Sequence, residues 1–312
     1  MSQNRKASAS VVVTARNLQD FVGSAVESAL AQVPPPREVI VVNDGSTDAT
    51  ASVVARYGSR IRYVKTDGIG AAAARNTGWR TSTSEYVAFL DGDDWWLPGK
   101  LQKSMAGLSD SDAPMIYSDV MRVRPDGTPI EPWSKSAPTV SGRILFQILM
   151  NNPIQTSSVV LRRSLLEVTG GFDESLVAWE DIDLWTRIAV VHPISSLSDV
   201  LACYRMTPSS LSKNITAMAE GRLVSVLNVL ASDTGGVLQA HERRSVLAKA
   251  HLYRAVAHYL TGEPNAARAS LLRAATASPA MLQGSRWWSV FVKSLLGERL
   301  LRELRTMRRG TL

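Results

Sequence analysis

The chain has 312 residues, 45% of them hydrophobic and 20% charged, enough to bury a full core as one large or two smaller domains, which excludes a disordered chain. Its net charge of +7 is uneven: residues 286–309 hold seven basic and two acidic side chains, so the rest is nearly neutral and carries no nucleic-acid footprint. The single cysteine, Cys203, excludes an internal disulfide, no apolar run has the length of a membrane span, and the polar start at 1–6 leads to the expectation of a cytosolic protein.

Short β-branched runs at 10–13, 38–42, 61–65 and 86–90 alternate with amphipathic stretches at 25–32, 49–57 and 71–79. That spacing predicts βαβ units around a mainly parallel sheet, and right-handed crossovers then place every strand-to-helix loop on one rim. Three prolines at 34–36 stiffen the connection between the first helix and the second strand.

The second run closes on Asn43-Asp44-Gly45-Ser46. Gly45 turns the chain and Ser46 or Thr47 caps the next helix. Asp44 is left over as an unpaired carboxylate able to accept the ring N–H of a uracil or thymine base. Gly68 to Gly78 opens the third helix with small residues that allow close packing beneath a ligand, and Arg75, one turn along, can reach a phosphate through its planar fork. The fourth run ends in Asp91-Gly92-Asp93-Asp94, three carboxylates in the crevice where open α/β sheets bind ligands. Acids so close repel one another unless a cation offsets them, and an all-oxygen set selects Mg²⁺ or Mn²⁺. An Asp-rich turn that merely caps the next helix is the plain alternative.

Residues 121–138 are turn-rich around Arg124-Pro125-Asp126-Gly127 and predict a hairpin, followed by a helix at 144–150 and a strand at 158–161. A helix starts near Glu180, with Ile182, Trp185 and Ile188 on its buried face and Glu180 and Asp181 in its first turn, where the helix dipole favours acids. Trp179 beside them and the Gly171 turn before them describe a pocket wall, and a carboxylate there can serve as a general base. Beyond residue 212 the pattern is wholly helical, and 251–260 with 266–277 look like one hairpin of the tetratricopeptide kind. The Trp-rich stretch 286–296 leads into the basic run, the composition of a helix lying in an anionic membrane interface; the same residues could instead pack on the body with their arginines solvated.

Taken in order, Thr14-Ala15-Arg16-Asn17, Asn43-Asp44-Gly45-Ser46, Ala74-Arg75-Asn76-Thr77-Gly78, Asp91-Gly92-Asp93-Asp94, Thr156-Ser157-Ser158, Gly171-Phe172-Asp173-Glu174, Glu180-Asp181 and Tyr204-Arg205 resemble the family 2 glycosyltransferases of the GT-A fold. The resemblance implies an α/β catalytic domain over 8–212 and an all-helical extension over 213–312. It also implies an inverting, metal-dependent transfer of a sugar from a nucleotide-diphosphate donor, a UDP-sugar, to a glycan or lipid-linked acceptor in bacterial envelope glycan synthesis. Thr14, Arg16 and Asn17 would lie against the donor, with Asp44 on its base, Arg75 on the nucleotide, and Asp91 and Gly92 near the ribose. Asp93, assisted by Asp94, would hold the divalent ion. Asp181 would be the catalytic base with Glu180 orienting it, and Gly171, Phe172, Asp173 and Trp179 would shape the acceptor side. Arg16 stands where relatives often stack an aromatic ring, and Thr207 where a histidine often follows the Tyr-Arg pair. A peripheral contact of 286–312 with the inner face of the plasma membrane completes the expectation. The rival readings are a nucleotidyltransferase, which would carry a Gly-rich basic loop after its first strand, and a nucleotide-binding scaffold that uses its helical half for partners.

Overall fold

A computed structural model describes residues 8–207 and 213–295. The chain divides into two compact units, 1–210 and 211–312.

The first unit is built on one nine-stranded sheet. Four strands rich in β-branched residues, β1 (Ala9–Ala15), β2 (Glu38–Asp44), β3 (Arg62–Thr66) and β4 (Tyr86–Asp91), lie parallel in the order β3-β2-β1-β4. β1 and β4 are buried on both faces, as expected for strands with helices on either side. α1 (Val22–Leu30) packs on one face through Val22, Ala25, Val26 and Ala29, and α2 (Thr50–Ala55) follows β2. α3 (Ala71–Thr81) covers the other face, where Ala74 meets Ile40 and Val42. A Cβ on Gly78 would lie 2.2 Å from Val12 Cγ1, so glycine is what lets α3 sit this close to β1.

After β4 the sheet turns mixed. The short β5 (Trp95–Trp96) leads to α4 (Lys100–Ser109), then β6 (Met115–Val123) and β7 (Pro129–Pro132), joined through the turn at Gly127, which has φ 89. α5 (Leu145–Asn151), a 3₁₀ turn at Thr156–Ser158, β8 (Val160–Arg162) and α6 (Arg163–Thr169) follow, and the unit closes with α7 (Glu180–Val191) and β9 (Ser195–Arg205). β8 runs antiparallel between β4 and β6, while β9 lies parallel to β6 and antiparallel to β5. β6 and β9 are the longest strands among the described residues; β6 pairs with β7 as the hairpin expected around Arg124–Gly127 but begins at Met115, ahead of the predicted 121–138, and β9 was not expected from the sequence. Buried apolar residues in β9 are confined to its last third, so no strand-length alternation advertises it.

The second unit holds α8 (Ile215–Ser232), α9 (Ala240–Leu260), α10 (Pro264–Ala277) and a helix over 285–295. α9 starts on a capping box in which Gln239 and Glu242 satisfy each other's backbone N–H groups. α9, α10 and the last helix share a core of Leu252, Ala255, Leu271, Ala274, Trp287 and Val290. By length and composition α8 could cross a membrane, with 18 residues at mean hydropathy 1.2, a span the sequence reading did not credit. One such helix is weak support for a span, because 39% of it is buried here and its Glu220 pairs with Arg254 of α9 at 2.8 Å.

Candidate active site

The carboxyl ends of β1, β2 and β4 form a rim stitched by short polar contacts. Asn17, in the left-handed region at φ 54, donates its N–H to the Ser46 hydroxyl at 2.9 Å and accepts the Thr47 N–H at 2.8 Å. Gly92 donates its N–H to the Thr14 carbonyl at 2.9 Å, and a Cβ there would stand 2.7 Å from that oxygen, so β4 can end against β1 only on glycine. The exposed Arg16 lays its guanidinium beside Gly68.

Asp44 departs from the expectation of an unpaired carboxylate. Its Oδ1 accepts the Thr66 hydroxyl and the Ile69 N–H, both at 2.7 Å, and its Oδ2 accepts the Gly70 N–H at 2.9 Å. The buried side chain thus holds the loop that opens α3. Its partners lie more than 20 residues downstream, which is why local sequence shows nothing of them.

At the end of β4 three neighbouring acids meet three different surroundings. Asp91 accepts Nη2 of Arg75 at 2.8 Å. Asp94 is buried, with Oδ2 accepting the Ser157 hydroxyl at 2.5 Å and Oδ1 the Arg205 N–H at 2.8 Å. Burial, then the charges of Asp93 and Asp91, push its pKa well up. Each oxygen thus carries one hydrogen bond, tying the acidic turn to the Thr156–Ser158 turn and to the end of β9. Asp93 has, among the described residues, only its own backbone N–H against its carboxylate, and burial, followed by the charge of Asp91, raises its pKa to about 6 despite the fields of Arg205 and Arg75. A raised carboxylate with no cation against it is a group that gains from one.

Arg75 is the centre of the array. Its buried guanidinium spans from Asp91 to Glu180, reaching the latter through Nη1 at 2.6 Å, and it lies 5.6 Å from the Phe172 ring. Its Nε, also buried, finds no acceptor. These carboxylates and nearby Asp181 hold it fully charged against the cost of burial. Asp181 makes no ion pair among the described residues: Oδ2 accepts the Thr156 hydroxyl at 2.8 Å and Oδ1 the N–H of Ile182 at 2.7 Å. Burial and then the adjacent Glu180 charge raise it to about 6, despite the opposing field of Arg75. A carboxylate poised there is ionised at neutral pH yet basic enough to take a proton.

The loop before α7 is shaped from α3. Asn76 donates Nδ2 to the Phe172 carbonyl and to Glu174, both at 2.8 Å, and its Oδ1 accepts the Phe172 N–H at 2.9 Å and Trp79 Nε1 at 2.8 Å. A Cβ on Gly171, at φ 78, would meet that Oδ1 at 2.5 Å. Phe172 is buried edge-on against Phe89 and Trp185 and fixes the loop before α7 from beneath. Asp173 turns back on its own loop, accepting the Ser175 N–H at 2.9 Å and the Ser175 hydroxyl at 2.7 Å. Trp179 sits at φ 75, a strained position for a bulky residue, immediately before the two acids of α7.

Sequence reading missed Lys100. Fully buried, it donates Nζ to the Ser158 carbonyl at 2.7 Å and to the Ser104 hydroxyl at 2.9 Å, and burial lowers its pKa to about 7. A lone lysine two residues after Pro98 reads as surface, and no local signal could have found it.

Among the described residues no three His, Cys, Asp or Glu side chains group as a closed metal cage. Asp93, half-buried and without an ion pair among the described residues, fits instead a hard divalent ion that takes its other ligands from water and substrate oxygens. A separate cavity of about 510 Å³, lined by Glu27, Trp95, Asp126 and Arg205 among others, includes neither Asp93 nor Asp181.

The model of the family described as Glycosyl transferase family 2 matches residues 10–169, 160 of the 312. The chain belongs to glycosyl transferase family 2. A relative in Escherichia coli, the UDP-Glc:alpha-D-GlcNAc-diphosphoundecaprenol beta-1,3-glucosyltransferase WfgD, is 28% identical over 209 residues, 66% of this chain and 79% of that protein. The chain covers much less of some others: it spans 29% of the length of an uncharacterized glycosyltransferase of Rickettsia bellii to which it is 28% identical over 65% of its own residues. Among solved structures, residues 1–349 of S. aureus TarS in complex with UDP-GlcNAc superpose with a TM-score of 0.67 at 19% identity, covering 97% of this chain and 92% of that portion. The mannosyltransferase PcManGT of Pyrobaculum calidifontis, in complex with GDP-Man and Mn²⁺, gives 0.59 at 19%, covering 92% and 84%. The fold of this family 2 member is therefore the GT-A type, a mixed α/β sheet followed by a helical extension.

Proposed function

We propose that this chain is an inverting glycosyltransferase that moves a sugar from a UDP-sugar to a glycan or lipid-linked acceptor in bacterial envelope glycan synthesis. The observation that carries the reading is the Arg75 bridge: one buried guanidinium holds Asp91, on the donor rim, and Glu180, next to the candidate base, in a single array. The family membership, the UDP-sugar named for WfgD and the UDP-GlcNAc complex of TarS support it.

In this proposal Thr14, Arg16, Asn17 and Gly92 form the donor rim and Asp91 meets the ribose. Asp44 shapes the base pocket through the loop it holds. Asp93 would hold Mg²⁺ or Mn²⁺, which when bound offsets the charge building on the departing diphosphate. Asp181 removes the proton of the acceptor hydroxyl as that oxygen attacks the anomeric carbon from the face opposite the diphosphate, inverting the configuration there. Glu180, paired to Arg75, keeps a second negative charge beside Asp181 and so keeps it basic. Trp179 forms the acceptor wall.

The two units divide the work, catalysis lying in residues 8–212. Peripheral binding at the inner face of the plasma membrane, through 286–312, extends the proposal. Of that segment, Trp288, Val292 and Leu295 lie exposed along one side of the 285–295 helix while Trp287 packs inward; the basic residues from Arg299 on lie outside the described residues. Co-sedimentation with anionic vesicles, with and without 286–312, tests this part, and equal binding by both would remove it.

For the reaction, thermal stabilisation by a panel of nucleotide sugars with and without Mn²⁺ finds the donor. Release of UDP in the presence of lipid-diphosphate sugars then finds the acceptor. Asp181→Asn should bind donor as tightly as wild type and lose transfer by roughly 10²–10⁴-fold; near-wild-type turnover would end the assignment of Asp181.

A further inference from the structure

The short turn Thr156–Ser158 touches both halves of the array. The Ser157 hydroxyl donates to Asp94 and accepts the Asp91 N–H at 3.1 Å, while the Thr156 hydroxyl donates to Asp181, 25 residues away, at 2.8 Å. The turn cannot swing freely. Trp96 Nε1 grips the Ser157 carbonyl at 2.7 Å, Lys100 Nζ grips the Ser158 carbonyl at the same distance, and the Thr156 carbonyl accepts the Val159 N–H at 3.1 Å. All three residues of the turn are buried, and the γ-methyl of a threonine narrows its χ1 choices further. A hydroxyl held this firmly could have closed on a carbonyl of its own turn, as Ser158 does on Gln155 at 2.6 Å; it points across to the carboxylate instead.

We infer that Thr156 is the positioning residue of the proposed base, fixing the Asp181 carboxylate so that one lone pair of Oδ2 stays free for the incoming hydroxyl. The inference rests on the glycosyltransfer reading above. The groups facing Asp181 are Glu180 on its own helix, which raises its pKa, and Arg75 on α3, which lowers it; the Thr156 donor acts in the same direction as Arg75. Loss of that donor leaves the ionised form less favoured, so the base protonates at higher pH and its orientation is held only by the Ile182 N–H.

The test is the pH dependence of kcat/KM for UDP-sugar transfer by the full chain as wild type, Thr156→Val, Thr156→Ala and Thr156→Ser. Val and Ala, one isosteric and one smaller, both remove the hydroxyl, so a folding defect in one leaves the other readable. Expected are an acid limb near pH 6 in wild type that moves up by roughly half a unit to one unit in Val and Ala, and a kcat at pH 7 lowered roughly tenfold with donor KM little changed. Ser should restore both. An unmoved acid limb in the hydroxyl-less variants overturns the inference, as does a Ser variant as impaired as Val, which would mean that the methyl's packing is what matters. Absence of transfer by wild type from every nucleotide sugar would overturn the underlying reading as well, so the two failures are told apart.

Discussion

The ends of β2 and β4 carry the same kind of residue, lie one strand apart across β1, and behave in opposite ways. Asp44 on β2 has both oxygens served by neutral donors, the Thr66 hydroxyl at the end of β3 and the Ile69 and Gly70 N–H groups of the loop that opens α3. The acids at the end of β4 and in the turn that follows it differ: Asp91 takes the Arg75 guanidinium, Asp94 the Ser157 hydroxyl and the Arg205 N–H, and Asp93, among the described residues, has a hydrogen bond only from its own N–H. A carboxylate at a strand end is therefore a fastener or a reactive group according to which N–H and O–H groups surround it, and only the second kind has capacity left for a ligand.

The comparison can be broken most forcefully at Arg75. Arg75→Met should destabilise the chain by about 3–5 kcal/mol in urea unfolding, because Asp91 and Glu180 lose their buried cation, whereas the Asp44 loop keeps all its bonds. Asp93→Asn is the next largest test. It should lower transfer by roughly 10²–10³-fold and abolish stabilisation by Mn²⁺ with donor, yet raise apo stability at neutral pH, since the buried charge that lifts the Asp93 pKa is removed. Asp44→Asn should show the reverse pattern. An amide cannot accept from Gly70 where it presents its own N–H, so about 2 kcal/mol of stability should go.

The smallest effect is expected beneath the β4 rim. Lys100 has a folded pKa lowered to about 7 from an ordinary 10.5, so between those values the unfolded chain binds more protons and wild-type stability rises with pH. Lys100→Met should cost more at pH 9, where wild type keeps a neutral amine and both hydrogen bonds, than at pH 6, where it carries a buried charge. A difference of about 1–2 kcal/mol between the two unfolding curves is the expected reading.

Much of this architecture was legible in the residues themselves. The apolar runs ending in Asn43-Asp44 and Asp91-Gly92-Asp93-Asp94 announced the parallel strands and their rim, because strands buried on both faces leave a plain signal. The pairing of Glu180 with Asp181 at a helix start was legible too. What stayed hidden depends on partners remote in the chain: that Asp44 would be occupied by Ile69 and Gly70, that Asp94 would turn inward to Ser157 and Arg205, and that Phe172 would lie under Arg75. β9 went unseen because its Ser and Asp residues break the alternation that marks a strand.

Because one guanidinium serves as counter-ion to both sides of the cleft, neither side can be redesigned in isolation. An exchange at Glu180 also changes the charge felt at Asp91, and a change at Asp91 returns through Arg75 to Asp181, the base in the proposed reaction. Engineering a new linkage specificity on this scaffold is thus a problem in paired substitutions, with Arg75 as the node through which each must be compensated.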